Sequence, residues 1–317
     1  AYFEAILAAA SDSVNHFDCA GSYRYQRSER VLGRALRELL DRGVERGEIV
    51  LATKCGYVPF DGEPPEDLPG YLRERFVSRS LFATEDIASG SHVLTPSFLD
   101  DQLGQSLENL GVESVDVFYL HNPEEQLVVG TAEFESRMRR AFETLESACD
   151  QGRIGYYGVA TWNALRALPD ADGYLSLVRL VELAKEAGGD DHRMRFVQAP
   201  YNLAMTEGFT VPNQPIGDET HSLFQAAGNL GLNVVGSASL AQGRLREGLP
   251  DWLSTLFKGF DTDAQRSLQF ARSTPGLASA LVGMKSRAHV EENLALARRP
   301  PVGVEDFLKL FEVAGDG

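Results

Sequence analysis

Short apolar runs alternate along this chain with longer amphipathic stretches, the pattern of strand and helix units that feed a parallel sheet. The runs are VNHFDCA (14–20), IVLATKCG (49–56), VDVFYLHN (115–122), IGYYGVAT (154–161), RFVQAPYN (195–202), LNVVGSAS (232–239) and ASALVGMK (278–285). Between them, SERVLGRALRELLDRG (28–43), SFLDDQLGQSLENLG (97–111) and FESRMRRAFETLESACDQG (134–152) carry helical periodicity. The last two close on Gly, as helix C-termini commonly do. The chain opens in helix-like sequence, AYFEAILAAA, so the alternation asks for one more strand ahead of it.

Nearly every apolar run ends in a residue able to do chemistry: Asp18, Lys54, His121, Thr161, Gln198, Ser237 and Lys285. In a (β/α)8 barrel those C-terminal strand ends converge on one mouth, where active sites sit. A doubly wound sheet would gather its ligand contacts at one switch point after a Gly-rich turn, and no G-x-G-x-x-G opens any helix here. The pattern therefore predicts an α/β fold, a (β/α)8 TIM barrel whose first strand is missing from this sequence, with 1–317 as a single domain. Two segments lack clear periodicity, 56–96 and 204–220. Both follow strand ends, which predicts that they hang over the mouth as substrate loops.

Composition narrows the function. With 43% hydrophobic and 24% charged residues, the 317-residue chain can bury a sizeable core. A net charge of −16 repels nucleic acid and anionic membrane surfaces. Residues 241–300 are a local exception, with nine Lys/Arg against six Asp/Glu, a place for an anionic ligand. Cys19, Cys55 and Cys149 are odd in number and lack metal-site spacing, which fits a reducing cytoplasm and no metal. Strand alternation turns Cys19 and Cys55, each next to a mouth residue, into the barrel wall as inert packing. The longest charge-free run, Ser222 to Gly243, holds too many amides and hydroxyls to span a bilayer, and the N-terminal stretch carries Glu4 where a signal peptide would be cationic.

The stretch HFDCAGSYRYQRSERVLGRAL, followed by LATKCG and VDVFYLHNP, resembles the aldo/keto reductase superfamily, and the resemblance runs from about residue 14 to 296. That family's tetrad of Asp, Tyr, Lys and His is matched by Asp18, Tyr23, Lys54 and His121. Tyr25 competes as the phenol, but the four-residue gap after the Asp selects Tyr23. The chemistry is intelligible on its own terms. Reducing a carbonyl with hydride leaves an alkoxide to be protonated, and an ammonium beside a phenol eases its ionisation. Lys54 would supply that charge to Tyr23, Asp18 would fix Lys54, and a neutral His121 would donate a hydrogen bond to the substrate oxygen.

The same resemblance implies a cofactor, NADP(H). The nicotinamide amide is expected against Thr161 and Gln198, with Ala160 and Thr161 standing where the family has Ser-Asn. Ser237 occupies the place of a stacking aromatic, a loss worth ~0.5–1.5 kcal/mol. Leu240 and Gly243 of LAQGRL are expected along the pyrophosphate, and Lys285, Ser286 and Arg287 near the 2′-phosphate. His289, Glu292 and Asn293 are expected near the adenosine. The implied function is NADPH-dependent reduction of an aldehyde or ketone, with a small-molecule carbonyl as partner. The alternative is a non-catalytic nucleotide-binding sensor or scaffold on the same fold. The family's first strand carries a short Gly-containing loop, which leads to the expectation that Ala1 is not the native N-terminus.

Overall fold

Seven strands lie parallel in chain order, each hydrogen-bonded to the next, in a computed structural model that describes residues 1–12 and 14–313. They are β1 (His16–Asp18), β2 (Val50–Cys55), β3 (Val115–His121), β4 (Ile154–Ala160), β5 (Met194–Pro200), β8 (Asn233–Ser237) and β9 (Leu277–Ala280). Between β5 and β8 an antiparallel hairpin stands apart, formed by β6 (Gln214–Ile216) and β7 (Glu219–His221). All seven apolar runs are thus strands of one sheet, the curled α/β architecture of a (β/α)8 barrel, with helices between its strands. Ser13 and positions 314–317 of the expected 1–317 domain lie outside the described residues.

The parallel register sorts every strand residue onto one of two faces. Lys54 pairs with Tyr119, Tyr119 with Gly158, and Gly158 with Phe196. Asp18 pairs with Ala52, His121 with Ala160, Ala160 with Gln198, and Pro200 with Ser237. Paired residues of a sheet share a face, so these form the inner surface. Ala52, Val117, Tyr119 and Ala160, with Phe196 against them, make a small inner cluster. The alternate residues, including Leu51, Phe118, Leu120, Val159 and Val197, join the large core between sheet and helices. Gly158 sits at a register shift in the β4–β5 pairing, where a Cβ would fall 1.9 Å from the Phe196 carbonyl oxygen; only glycine lets the strands approach there.

Helix boundaries follow local chemistry. Helix Pro96–Leu110 starts with Pro in its first turn and ends at Gly111, whose φ of 68° supplies the left-handed cap. Helix Arg27–Asp41 buries Leu32, Ala35, Leu36 and Leu39, a 3–4 spacing against the sheet. Helix Tyr2–Ser11 packs against Arg27–Asp41 and Arg287–Ala297, next to the two edge strands. Those edges, β1 and β9, are tied by His16 Nδ1 and Ser279 Oγ at 3.1 Å.

The two aperiodic segments have structure of their own. Segment 56–96 holds helix Leu68–Arg75 and buries Phe76, Phe82, Val93 and Leu94 in the main core, with Phe76 and Phe82 stacked and both edge-on to Phe98. Segment 204–220 is pinned by two buried amides. Asn213 Nδ2 donates to the Leu165 and Ala167 carbonyls at 2.9 and 2.7 Å, and Gln214 bridges the Leu165 and Leu175 carbonyls and the Leu177 N–H.

Candidate active site

Asp18 and Lys54 end adjacent strands on the inner face, and their side chains form a buried ion pair. Lys54 is 2% exposed, so its charge needs compensation on the spot. Asp18 provides it through Oδ1, the Cys19 carbonyl accepts a second Lys54 hydrogen bond at 2.9 Å, and Gln198 Nε2 donates to Asp18 Oδ2 at 2.9 Å. Burial pulls the Lys54 pKa down, but Asp18 and then Tyr23 outweigh it, and the ammonium is held above its ordinary value.

Tyr23 reaches this pair from the turn after β1. Its ring centre lies 5.3 Å from Lys54 Nζ and 5.7 Å from the His121 ring, which it meets edge-on. The turn is unusual, because Arg24, Tyr25 and Gln26 all take positive φ, at 52°, 58° and 67°. Such a run of non-glycine residues is strained. It is held by Gln26 Nε2 donating to the Phe60 carbonyl, by Asn109 donating to Gln26 Oε1, and by the Arg24 guanidinium over the Tyr2 ring at 4.3 Å. Tyr25 points elsewhere, onto Phe60.

Burial raises the Tyr23 pKa, and Lys54 lowers it only in part, although 41% of the residue stays open at the mouth. The expected easing by Lys54 is therefore present but is not the larger effect. At neutral pH the phenol keeps its proton, the form needed to donate one. His121 is neutral, its pKa lowered to about 3 by burial, then by Lys54 and His92. Asp18, Tyr23, Lys54 and His121 are thus brought together, although they come from three strands and the turn after the first.

The remaining expected residues are more scattered in their commitments. Thr161 follows β4, is buried, and its Oγ1 has no hydrogen-bond partner. Gln198 is buried on β5 with its amide nitrogen on Asp18. Ser237 ends β8 on the inner face, half-buried. Leu240 packs partly against the main core, and Gly243 closes the short turn Ala241–Gly243. Lys285 is exposed before helix Arg287–Ala297, which Ser286 caps by accepting from the His289 N–H at 3.4 Å. Arg287 is paired outward with Glu291. His289, Glu292 and Asn293 are half-buried on that helix, with the Glu292 carbonyl accepting from Gln265. Thr161, with its orphaned buried hydroxyl, also donates its backbone N–H to the Gln198 carbonyl at 2.9 Å, and a hydroxyl without a partner fits a ligand carrying a carboxamide. Cys19 and Cys55 are buried in the outer core, their pKa values pushed up by burial.

Several residues at the mouth carry no sequence signal. Tyr57, just past β2, meets the His121 and His92 rings edge-on at 5.3 and 5.1 Å and accepts from Asn122 Nδ2 at 2.9 Å. Glu124, after the His-Asn-Pro turn, accepts from the Trp162 N–H at 2.8 Å while its Oε2 is buried without a partner. Burial pushes its pKa up to about 7. A dense basic run, Arg24, Arg27, Arg30 and Arg34, lines a cavity of about 620 Å³ together with Gln105, Glu108 and Asn109.

Comparison with known proteins places this geometry. The family model "Aldo/keto reductase family" matches residues 2–250, and the chain belongs to that family. It is 28% identical over 162 residues to a probable voltage-gated potassium channel subunit beta of Oryza sativa subsp. japonica, covering 51% of this chain and 38% of that protein. It is 27% identical over 118 residues to an NADH-specific methylglyoxal reductase of Escherichia coli, covering 37% and 30%. The chain thus spans about a third of the length of these curated relatives. Among solved structures, an aldo-keto reductase of Bacillus halodurans in its holo form superposes with a TM-score of 0.65 at 17% identity, over 98% of this chain and 86% of that one. An aldo/keto reductase of Klebsiella pneumoniae in complex with NADP and acetate gives 0.61 at 20%, over 98% and 84%. At these identities the structural likeness speaks to the fold. Among the described residues no helix is long and apolar enough to cross a membrane, and no cluster of His, Cys, Asp and Glu could hold a metal ion.

Proposed function

We propose that the chain reduces an aldehyde or ketone to an alcohol with NADPH. The observation that carries this reading is the convergence of Tyr23, His121 and the buried Asp18–Lys54 pair at one mouth. Bound there, NADPH supplies the hydride. Thr161, Gln198 and Ser237 would hold its nicotinamide end, and Lys285 and Ser286 its 2′-phosphate. Leu240 and Gly243 would lie along the pyrophosphate, and His289, Glu292 and Asn293 toward the adenosine.

Each protein group has one task. Tyr23 gives its proton to the oxygen that becomes the alcohol. Lys54 stabilises the phenolate left behind, and Asp18 keeps that ammonium charged and in place. Neutral His121 donates a ring hydrogen bond to the carbonyl oxygen as charge builds on it. Relatives bearing the names of a methylglyoxal reductase and an L-glyceraldehyde 3-phosphate reductase, the latter of Escherichia coli at 28% identity, support a carbonyl substrate.

Ala160 and Ser237 favour a second reading, a nucleotide-binding sensor or scaffold, because neither can reproduce the family's nicotinamide contacts. Mixing NADPH with the protein and then with a panel of carbonyls separates the two. Fluorescence change on binding followed by carbonyl-dependent NADPH oxidation, lost in Tyr23→Phe with binding retained, supports reduction. Binding with no turnover on any carbonyl supports the sensor.

A further inference from the structure

We propose that His92, oriented by Gln126 and Arg137, is a positioning residue for His121, holding the end of β3 through a hydrogen bond whose direction the chain itself dictates. The proposal rests on the role given to His121 in carbonyl reduction, and it adds three residues from outside the expected tetrad.

The direction can be followed link by link. Arg137 is only a donor, and its Nη1 lies 2.7 Å from Gln126 Oε1, so that end of the amide is the oxygen. Gln126 Nε2 then faces the His92 carbonyl at 2.9 Å and His92 Nδ1 at 2.8 Å. A carbonyl can only accept, so the nitrogen assignment agrees at both ends. Because Nε2 of Gln126 donates, His92 Nδ1 accepts, and the imidazole proton sits on Nε2. That proton is donated to the His121 carbonyl, 2.7 Å away. Arg137 is itself fixed by Glu133 at 2.9 Å and by the Asp86 carbonyl at 3.1 Å.

The surroundings are built around this bond. His92 and Gln126 are both fully buried. A Cβ at Gly56 would lie 2.6 Å from the His121 carbonyl oxygen and 2.6 Å from His92 Nε2, so the absence of a side chain at the end of β2 is what lets the ring reach β3. Tyr57 closes the other side, edge-on to both rings. Burial keeps His92 neutral, with its pKa lowered to about 4. The titratable and charged groups around the ring are His121, Tyr57 and Glu125, with Arg137 and Glu133 behind Gln126.

Gln126→Glu tests the direction of the relay, since Arg137 can still pair with the new carboxylate. Above neutral pH that carboxylate accepts from Nδ1–H, which turns the Nε2 lone pair toward the His121 carbonyl. We expect kcat at pH 8 to fall about tenfold, while KM and the NADPH Kd move less than about twofold. Activity should recover as pH drops through ~6, where His92 takes a second proton and donates both ways. His92→Gln, which can still donate to the His121 carbonyl, should restore most of what His92→Leu loses. Nitrogen-15 NMR gives a readout without turnover: His92 carries its proton on Nε2 in the wild type and on Nδ1 in Gln126→Glu at pH 8, with the His121 ring resonances displaced. Unchanged His121 resonances in folded Gln126→Glu, or His92→Gln as impaired as His92→Leu, would overturn the relay. If the wild type oxidises NADPH with no carbonyl, the reduction reading fails, and the NMR arm still decides the relay.

Discussion

The two halves of the mouth are organised differently. At the ends of β1 to β3 the side chains bind one another: Asp18 holds Lys54, Lys54 lies by Tyr23, Tyr23 meets His121, and His121 is held through its backbone by His92. At the ends of β4 to β9 Gln198 reaches across to Asp18, but Thr161 Oγ1 is orphaned and Ser286 and Arg287 are committed locally, to the helix cap and to Glu291. The first half is assembled by the chain alone. The second has fewer contacts between its parts, so substitutions in the first should disturb stability and chemistry together, while those in the second should mainly change what binds.

The sharpest break of that contrast is Lys54→Met. It leaves Asp18 without its counter-ion in a buried site, a loss of ~3–5 kcal/mol in stability. It also removes the charge that stabilises the Tyr23 phenolate, worth ~10²–10⁴ in kcat. The double variant Asp18→Asn with Lys54→Met should regain most of the stability in urea unfolding and none of the activity. If the double variant recovered both, Lys54 would be a structural residue only.

A smaller effect is expected at Glu124, which borders both halves through the Trp162 N–H. A carboxyl whose pKa is raised in the folded protein binds its proton more tightly there than in the unfolded chain. Stability therefore falls as pH rises from the unfolded value of 4.5 toward about 7, and is level above that. Glu124→Gln should remove this slope and stabilise the protein at pH 8 by up to ~3 kcal/mol, less whatever its amide loses by lacking a partner. Thermal unfolding followed from pH 5 to 8 checks this; parallel curves for the two proteins would show that the carboxyl is not the source.

What the sequence disclosed, and what it hid, follows the same division. Asp18, Lys54 and His121 end apolar runs, so periodicity led to the expectation of one shared mouth, and the tetrad pattern chose Tyr23 over Tyr25; Tyr25 packs on Phe60. Alternation correctly sent Cys19 and Cys55 outward. His92 and Gln126 were invisible because they lie outside the periodic runs, in an irregular segment and a short 3-10 helix, and their partners are 29 and 34 residues away. The left-handed turn at Arg24–Gln26 was hidden for a related reason: nothing in Arg-Tyr-Gln announces positive φ, which here is imposed by tertiary hydrogen bonds. The strength of Lys54 against burial at Tyr23 is likewise a property of packing, not of composition.

The smallest expected effect belongs to the ligand-dependent half. The resemblance implies Lys285, Ser286 and Arg287 near the 2′-phosphate, but Ser286 Oγ accepts from the His289 N–H and Arg287 is paired with Glu291 at 2.8 Å. Lys285 makes no ion pair among the described residues and is exposed, so on the proposed reading it is the main charge toward a 2′-phosphate, aided by the positive end of helix Arg287–Ala297. An exposed ammonium contributes ~1 kcal/mol or less. The preference for NADPH over NADH should therefore be no more than about tenfold, and it should shrink between low and physiological salt. Lys285→Met should bring the two dissociation constants within about twofold by weakening NADPH alone, as read from nicotinamide fluorescence at two ionic strengths. A Lys285→Met protein that kept its preference would move phosphate recognition elsewhere. A wild type that bound NADH more tightly than NADPH would overturn the NADPH reading and match the cofactor named for its Escherichia coli relative.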